Sequence, residues 1–179
     1  LFVDIRGFTP LSEKAEPEEV VAILNEYLTL YAESIFKYNG TLDKFIGDAT
    51  MALFNAPLDL EDHAFSAVQA AWAMKRGAEP LKKKLEEKFG KTVEFGIGIN
   101  TGEAVVGNIG AVFRMDYTAI GDTVNTAARL ESNARPGQIL MSQSTYERVK
   151  DRVKATFMGE YTVKGKTHGI PVYQLDGLQ

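Results

Sequence analysis

The sequence predicts an α+β domain: a ferredoxin-like βαββαβ core with a mixed or antiparallel sheet and helices, followed by a C-terminal αβ extension. Three observations carry this expectation. A wide apolar stripe at helical spacing runs through residues 20–36. Two short apolar runs flank Gly47-Asp48 as in a tight hairpin. From Thr92 onward the hydrophobic period shortens to two, with Val93, Phe95, Ile97 and Ile99 alternating with Glu94, Gly96 and Gly98. Strand, helix, two strands, helix, strand is the order of a split β-α-β unit.

Each element has its own signal. Leu1-Phe2-Val3-Asp4-Ile5 is a buried-strand pattern, and Arg6-Gly7-Phe8-Thr9-Pro10 reads as a turn. Pro17 suits the first position of a long helix. Ile23, Leu24, Tyr27, Leu28, Tyr31, Ile35 and Phe36 lie on its apolar face, and Gly40 is a suitable stop. Strands are expected over residues 42–46 and 49–54. A second helix spans 61–88, with a break or kink expected at Gly77 and Pro80. Strands over 103–109 and 115–120 precede a helix over 122–133, which stops near Pro136-Gly137. A strand over 139–141 leads to Ser142, a natural cap for a short helix ending at Val149. The tail, 155–175, reads as strands around a Lys164-Gly165-Lys166 turn.

Composition narrows the function. At roughly 150 residues per domain, 179 residues form one domain. Apolar residues are 45% and charged residues 25%, an ordinary globular balance. Lys plus Arg is 20 and Asp plus Glu is 24, a net charge of −4 that does not advertise a nucleic-acid surface. The absence of cysteine excludes disulfides, thiolate catalysis and sulfur-based zinc sites. Two histidines, His63 and His168, exclude a His-rich metal centre. No apolar run approaches the roughly 18 residues of a membrane span, and no signal peptide is visible. The sequence opens at Leu1 inside a strand pattern without an initiator Met, so it reads as a segment of a longer protein. A cytoplasmic location is expected for the domain, in a soluble or a membrane-tethered parent.

Several residues could carry chemistry. Asp4 ends an apolar strand and Asp48 tips a hairpin. If those strands are neighbours, both carboxylates emerge at one sheet edge and need a counter-charge. Mg²⁺ suits them, since it takes one or two carboxylates and completes its shell with phosphate oxygens. The plainer alternative is a turn residue and a strand-end cap. Gly7, with Phe8 and Thr9, could offer backbone N–H groups to a phosphate, or be an ordinary strand-to-helix turn. Asn125 and Arg129 are four apart on one helix face and could hold a ribose and a phosphate, or merely face solvent. Lys164 and Arg114 are candidate phosphate charges or solvated cations. Lys44 could donate to adenine N1 while the Thr118 hydroxyl accepts from N6; guanine, with N1–H and O6, would mismatch. Spacing alone does not bring these two together.

The strings are more specific than the spacings. Phe2-Val3-Asp4-Ile5-Arg6-Gly7-Phe8-Thr9 resembles the opening motif of class III nucleotidyl cyclase catalytic domains. Asp43-Lys44-Phe45-Ile46-Gly47-Asp48 and the following Ala49-Thr50-Met51-Ala52-Leu53-Phe54 resemble their hairpin motif. Tyr117-Thr118-Ala119-Ile120-Gly121-Asp122-Thr123-Val124-Asn125-Thr126-Ala127-Ala128-Arg129-Leu130-Glu131 resembles their ribose and transition-state helix, and Val163-Lys164-Gly165-Lys166 their phosphate-contacting turn. The strings occur in the family's order and cover nearly the whole chain, so residues 1–179 read as one such domain.

The resemblance implies an adenylate cyclase that converts ATP to 3′,5′-cyclic AMP and pyrophosphate. It makes Asp4, Asp48 and the Ile5 carbonyl ligands of two Mg²⁺ or Mn²⁺ ions. Phe8 and Thr9 backbone groups would hold the triphosphate, and Lys44 and Thr118 would read the base. Asn125 would orient the ribose, Arg129 would stabilise the pentavalent phosphate, and Lys164, with Arg114 a second candidate, would bind the outer phosphates. It further implies a head-to-tail homodimer with shared active sites, and regulatory domains outside this segment. Threonine at position 118 is typical of a bacterial and cyanobacterial-like subgroup, some of whose members respond to bicarbonate. Guanylyl cyclases of the family usually replace the base-reading lysine, so Lys44 favours ATP. The alternatives are a guanylate cyclase and a non-catalytic nucleotide-sensing dimerisation domain.

Overall fold

The computed structural model describes residues 1–179. In chain order the elements are β1 (Phe2–Arg6), α1 (Phe8–Lys14), α2 (Pro17–Lys37), β2 (Thr41–Ile46), β3 (Ala49–Leu53), α3 (His63–Phe89) and β4 (Glu94–Ile99). Then come β5 (Val105–Ala111), β6 (Arg114–Ile120), α4 (Asp122–Asn133), β7 (Gln138–Ser142), α5 (Gln143–Val149), β8 (Val153–Tyr161) and β9 (Ile170–Leu178). Seven strands form one sheet in the order β2-β3-β1-β4-β7-β9-β8, and β5 and β6 form a separate hairpin. Only β4 and β7 pair in parallel. The α+β expectation holds, and β2-β3-β1-β4 is the order of the split unit.

The two faces of the sheet are covered differently. Val3 and Ile5 of β1, with Phe95, Ile97 and Ile99 of β4, join Ile23, Tyr27, Tyr31, Met74 and Leu85 of α2 and α3 in the main core. Gly96 and Gly98 of β4 are equally buried, on the opposite face. There α4 lies so close that a Cβ on Gly98 would stand 2.5 Å from Ala127 O. Leu130 and Ala134 close a smaller core with Leu140 and Val172. The alternating strand is therefore buried on both faces, because glycine lets a helix backbone approach it.

Two expectations are corrected. Residues 8–14 form a short helix, not a turn: Gly7, at φ 85°, supplies the left-handed entry, and Leu11 is buried. The helix expected to break at Gly77 and Pro80 runs unbroken from His63 to Phe89. Its buried residues, from Ala67 to Met74 and on to Ala78 and Leu85, lie on both sides of the proline and keep one stripe on the core. Gly77 serves packing instead, since a Cβ there would stand 2.5 Å from Leu30 Cδ1. Ser142 caps α5 as expected, accepting from the Thr145 amide. No helix is long and apolar enough to cross a membrane.

Candidate active site

Sheet order decides whether the two aspartates meet. β1 pairs antiparallel with β3 through Phe2↔Met51 and Val3↔Thr50. The chain therefore enters β3 from Asp48, at the end of the sheet toward which β1 carries Asp4. Gly47 holds φ 63° at the first turn position, the left-handed geometry a two-residue hairpin demands. The charges of this edge converge: burial pushes the Glu131 carboxyl up, Arg6 opposes the shift, and Asp48 adds to it. Arg6 is also ion-paired to Asp4.

Arg6 anchors this edge to α4. Its guanidinium donates to Glu131 O and, at 3.1 Å, to Ala134 O, and lies 3.7 Å from Glu131 Oε2. These acceptors belong to the C-terminal end of α4, where carbonyls lack intrahelical donors and a cation is favoured. Asp4 Oδ1 is buried and accepts no hydrogen bond; Arg6 meets it as a charge only. A part-buried carboxylate on a strand next to the one that follows Asp48 is a donor set that suits an oxygen-seeking divalent cation, with Arg6 as its counter-charge in this structure. No group of three or more Asp, Glu, His or Cys side chains forms a cage. A cation here would rest on two carboxylates, a backbone oxygen and the phosphates of a substrate.

Lys44 and Thr118, left apart by spacing, come together through a residue that sequence reasoning missed. Thr118 Oγ1 donates to Asp43 Oδ2 at 2.5 Å, and Lys44 Nζ lies 3.8 Å from Asp43 Oδ1. The Asp43 side chain is fully buried. Its position comes from a β-bulge. The β2–β3 register runs Leu42↔Ala52 and then Lys44↔Met51, so Asp43 is the extra residue. A regular strand would send neighbours 43 and 44 to opposite faces; the bulge lets both approach Thr118 of β6. An acid inside a short apolar run was the available signal, but the bulge itself leaves no mark in the sequence.

Asn125 and Arg129 share the exposed face of α4 and make no side-chain hydrogen bond within the chain, while Thr126, Ala127 and Leu130 are buried beneath them. Lys164 lies exposed in the loop between β8 and β9. That loop is tied to the first residue of α4 by Lys166 Nζ, 2.8 Å from Asp122 Oδ2. Arg114 begins β6, exposed near the hairpin tip. Phe8 and Thr9 open α1, whose first amides have no intrahelical acceptor and no side-chain cap. No hydrogen bond or ion pair joins Asp4 or Asp48 to Lys44, Thr118, Asn125, Arg129 or Lys164. The chain thus carries an acidic edge and, apart from it, the Lys44–Asp43–Thr118 contact and the exposed Asn125, Arg129 and Lys164.

Comparison with known proteins gives this arrangement its class. The family model for the adenylate and guanylate cyclase catalytic domain matches residues 1–177. The chain belongs to that family. Adenylate cyclase 1 of Rhizobium meliloti is 38% identical over 180 residues, covering 99% of this chain and 27% of that protein. The chain thus spans about a quarter of that curated relative. The crystal structure of the adenylyl cyclase CyaB from P. aeruginosa superposes with TM-score 0.94 at 41% identity, covering 97% of this chain and 90% of that one. The structure of the guanylyl cyclase Cya2 superposes with TM-score 0.91 at 37% identity, covering 99% and 90%. Catalytic domains of this class use divalent metal ions.

Proposed function

We propose that the chain is an adenylate cyclase domain that forms 3′,5′-cyclic AMP and pyrophosphate from ATP. The observation that carries the nucleotide choice is the Lys44–Asp43–Thr118 contact. Similarity alone leaves the base open, because relatives named for adenylyl and for guanylyl activity superpose almost equally well. Lys44 supplies a donor for adenine N1, and Thr118, its proton committed to Asp43, supplies an acceptor for N6. Guanine N1–H would face the ammonium, and a buried mismatch of that kind discriminates strongly.

In the reaction the ribose 3′-oxygen attacks the α-phosphorus and pyrophosphate leaves. Asp4, the Ile5 carbonyl and Asp48 would hold two Mg²⁺ or Mn²⁺ ions. Bound there, the cations acidify the 3′-hydroxyl and neutralise phosphate charge. Asn125 orients the ribose, so that the attacking oxygen is held near its target. Arg129 opposes the charge that develops at the α-phosphate, and Lys164 that on the departing pyrophosphate; each such contact is worth about 3 kcal/mol. Phe8 and Thr9 amides steady the triphosphate, and Arg114 is a further candidate for it.

The two sets of residues serve one reaction if two chains pair head to tail, so that the acidic edge of one meets Lys44, Thr118, Asn125, Arg129 and Lys164 of the other. A homodimer with two shared sites follows. Exposed Val105, Met115 and Ile120 on the β5–β6 hairpin, with Phe45 and Ile46 of β2, support such a contact surface. Bicarbonate is proposed as a regulator on the strength of Thr118, and stimulation at fixed pH tests it. The decisive assay is incubation of the purified chain with ATP or GTP and Mn²⁺, followed by identification of the cyclic product. Cyclic AMP as the main product is expected. Cyclic GMP as the main product would overturn the base assignment, and tight nucleotide binding without pyrophosphate release would favour a non-catalytic sensor.

A further inference from the structure

We propose that Asp43 is a positioning residue that sets base specificity by fixing the polarity of the Thr118 hydroxyl. The inference rests on the reading that Lys44 and Thr118 face the base. A threonine hydroxyl is ambivalent: it can donate one proton or accept at its lone pairs. Left free, it could accept from adenine N6 or donate to guanine O6, and would tell the two bases apart poorly. In this chain the hydroxyl proton is committed to Asp43 Oδ2 at 2.5 Å, and nothing donates to Thr118 Oγ1. The hydroxyl therefore meets a base as an acceptor only. An ionised carboxylate has no proton to give, so Asp43 cannot reverse the bond. Lys44 Nζ stands 3.8 Å from the other oxygen, so Asp43 faces a cation on one side and the Thr118 hydroxyl on the other. The bulge places Asp43 between the two base-reading side chains, where its full burial keeps water from competing for the Thr118 proton.

The test is Asp43→Asn, nearly equal in shape. The Lys44 ammonium keeps the amide oxygen on its own side, which turns the NH₂ group toward Thr118. The hydroxyl then accepts from the amide and presents its proton to the base. The expected result is a fall of about tenfold in kcat/KM for ATP, the worth of one hydrogen bond, with no parallel fall for GTP. The ATP-to-GTP ratio, measured for both nucleotides with Mn²⁺, is the readout, because loss of structure lowers both substrates together and leaves the ratio alone. Asp43→Ala, which removes the acceptor without adding a donor, is the second variant and lowers the ratio in the same direction. Thr118→Val removes the hydroxyl and also lowers the ratio; adding Asp43→Asn to it causes no further change. A ratio that moves with Thr118→Val but stays within about twofold of wild type in both Asp43 variants overturns the role of Asp43 and leaves the base assignment standing. A ratio unmoved by Thr118→Val overturns the base assignment, and this inference with it.

Discussion

Gly98 and Glu131 meet backbone to backbone. A Cβ on Gly98 would collide with the Glu131 amide nitrogen and stand 2.9 Å from its Cα. This contact seats α4, and with it Asn125 and Arg129, on the centre of the sheet. Gly98→Ala therefore forces two backbones apart, where no flexible side chain can give way. The expected cost is at the upper end of overpacking, about 3 kcal/mol. It should appear as a lower urea midpoint with an unchanged slope, together with a loss of cyclase activity. A variant as stable and active as the parent would show that α4 does not sit there.

Separation of the acidic edge from Asn125 makes a complementation test available. Asp48→Asn and Asn125→Ala should each be nearly inactive. In a head-to-tail dimer, a heterodimer of the two variants carries one intact site and one doubly damaged site. Random exchange makes half the dimers mixed, so about a quarter of wild-type activity should return. Mixing is followed by cyclic AMP formation, with heterodimers verified by differently tagged chains. Silent heterodimers would count against a shared site.

The loop between β8 and β9 separates two lysines by role. Lys164 is free, and we assign it to the phosphates; Lys166 is held by Asp122. Lys164→Ala should lower kcat by on the order of a hundredfold, as loss of a transition-state donor does. Lys166→Ala removes a surface ion pair, an interaction of at most about 1 kcal/mol, so its effect on kcat/KM should stay below about fivefold. Steady-state kinetics with ATP checks the contrast. Equal, large losses would mean that Lys166 also touches substrate.

Much of this was legible in the sequence, for physical reasons that differ by residue. The hairpin-tip position of Asp48 was readable from local chemistry and β1 does neighbour β3, but Asp4 lies in the middle of β1, paired with Gly96, and not at the strand end its sequence suggested. The stripe of α2 was readable because a helix on a core must repeat its apolar face. Asp43 was not, because a bulge shifts register without a residue signature. Arg6 was not, because its partners, Glu131 and Ala134, lie more than a hundred residues later in the chain, at the end of a helix that only the tertiary fold brings onto β1. The helix over residues 8–14 was missed because Gly7 and Pro10 both look like turn residues. In fact Gly7 supplies the entry and Pro10 sits in the first turn, where its missing N–H costs nothing.

Pro80 offers the last test, because it is the place where local chemistry pointed one way and packing went the other. Within a helix, proline deletes one backbone hydrogen bond and crowds the carbonyl four residues back, here that of Arg76. Pro80 and Arg76 are both exposed, so the freed carbonyl is open to water. Burial of Met74 and Ala78 before the proline and Leu85 after it outweighs the local penalty and holds α3 as one piece. Pro80→Ala restores the bond and the helix preference, worth about 3 kcal/mol in an unconstrained helix. Against this stands a gain of about 0.4–1 kcal/mol in unfolded-chain freedom. A net stabilisation of about 2–2.6 kcal/mol is expected, and it should raise the melting temperature by about 4–10 °C. Activity should be unchanged, since α3 lies on the face opposite α4. A drop in melting temperature would show that α3 is shaped by its proline and that its packing depends on that shape.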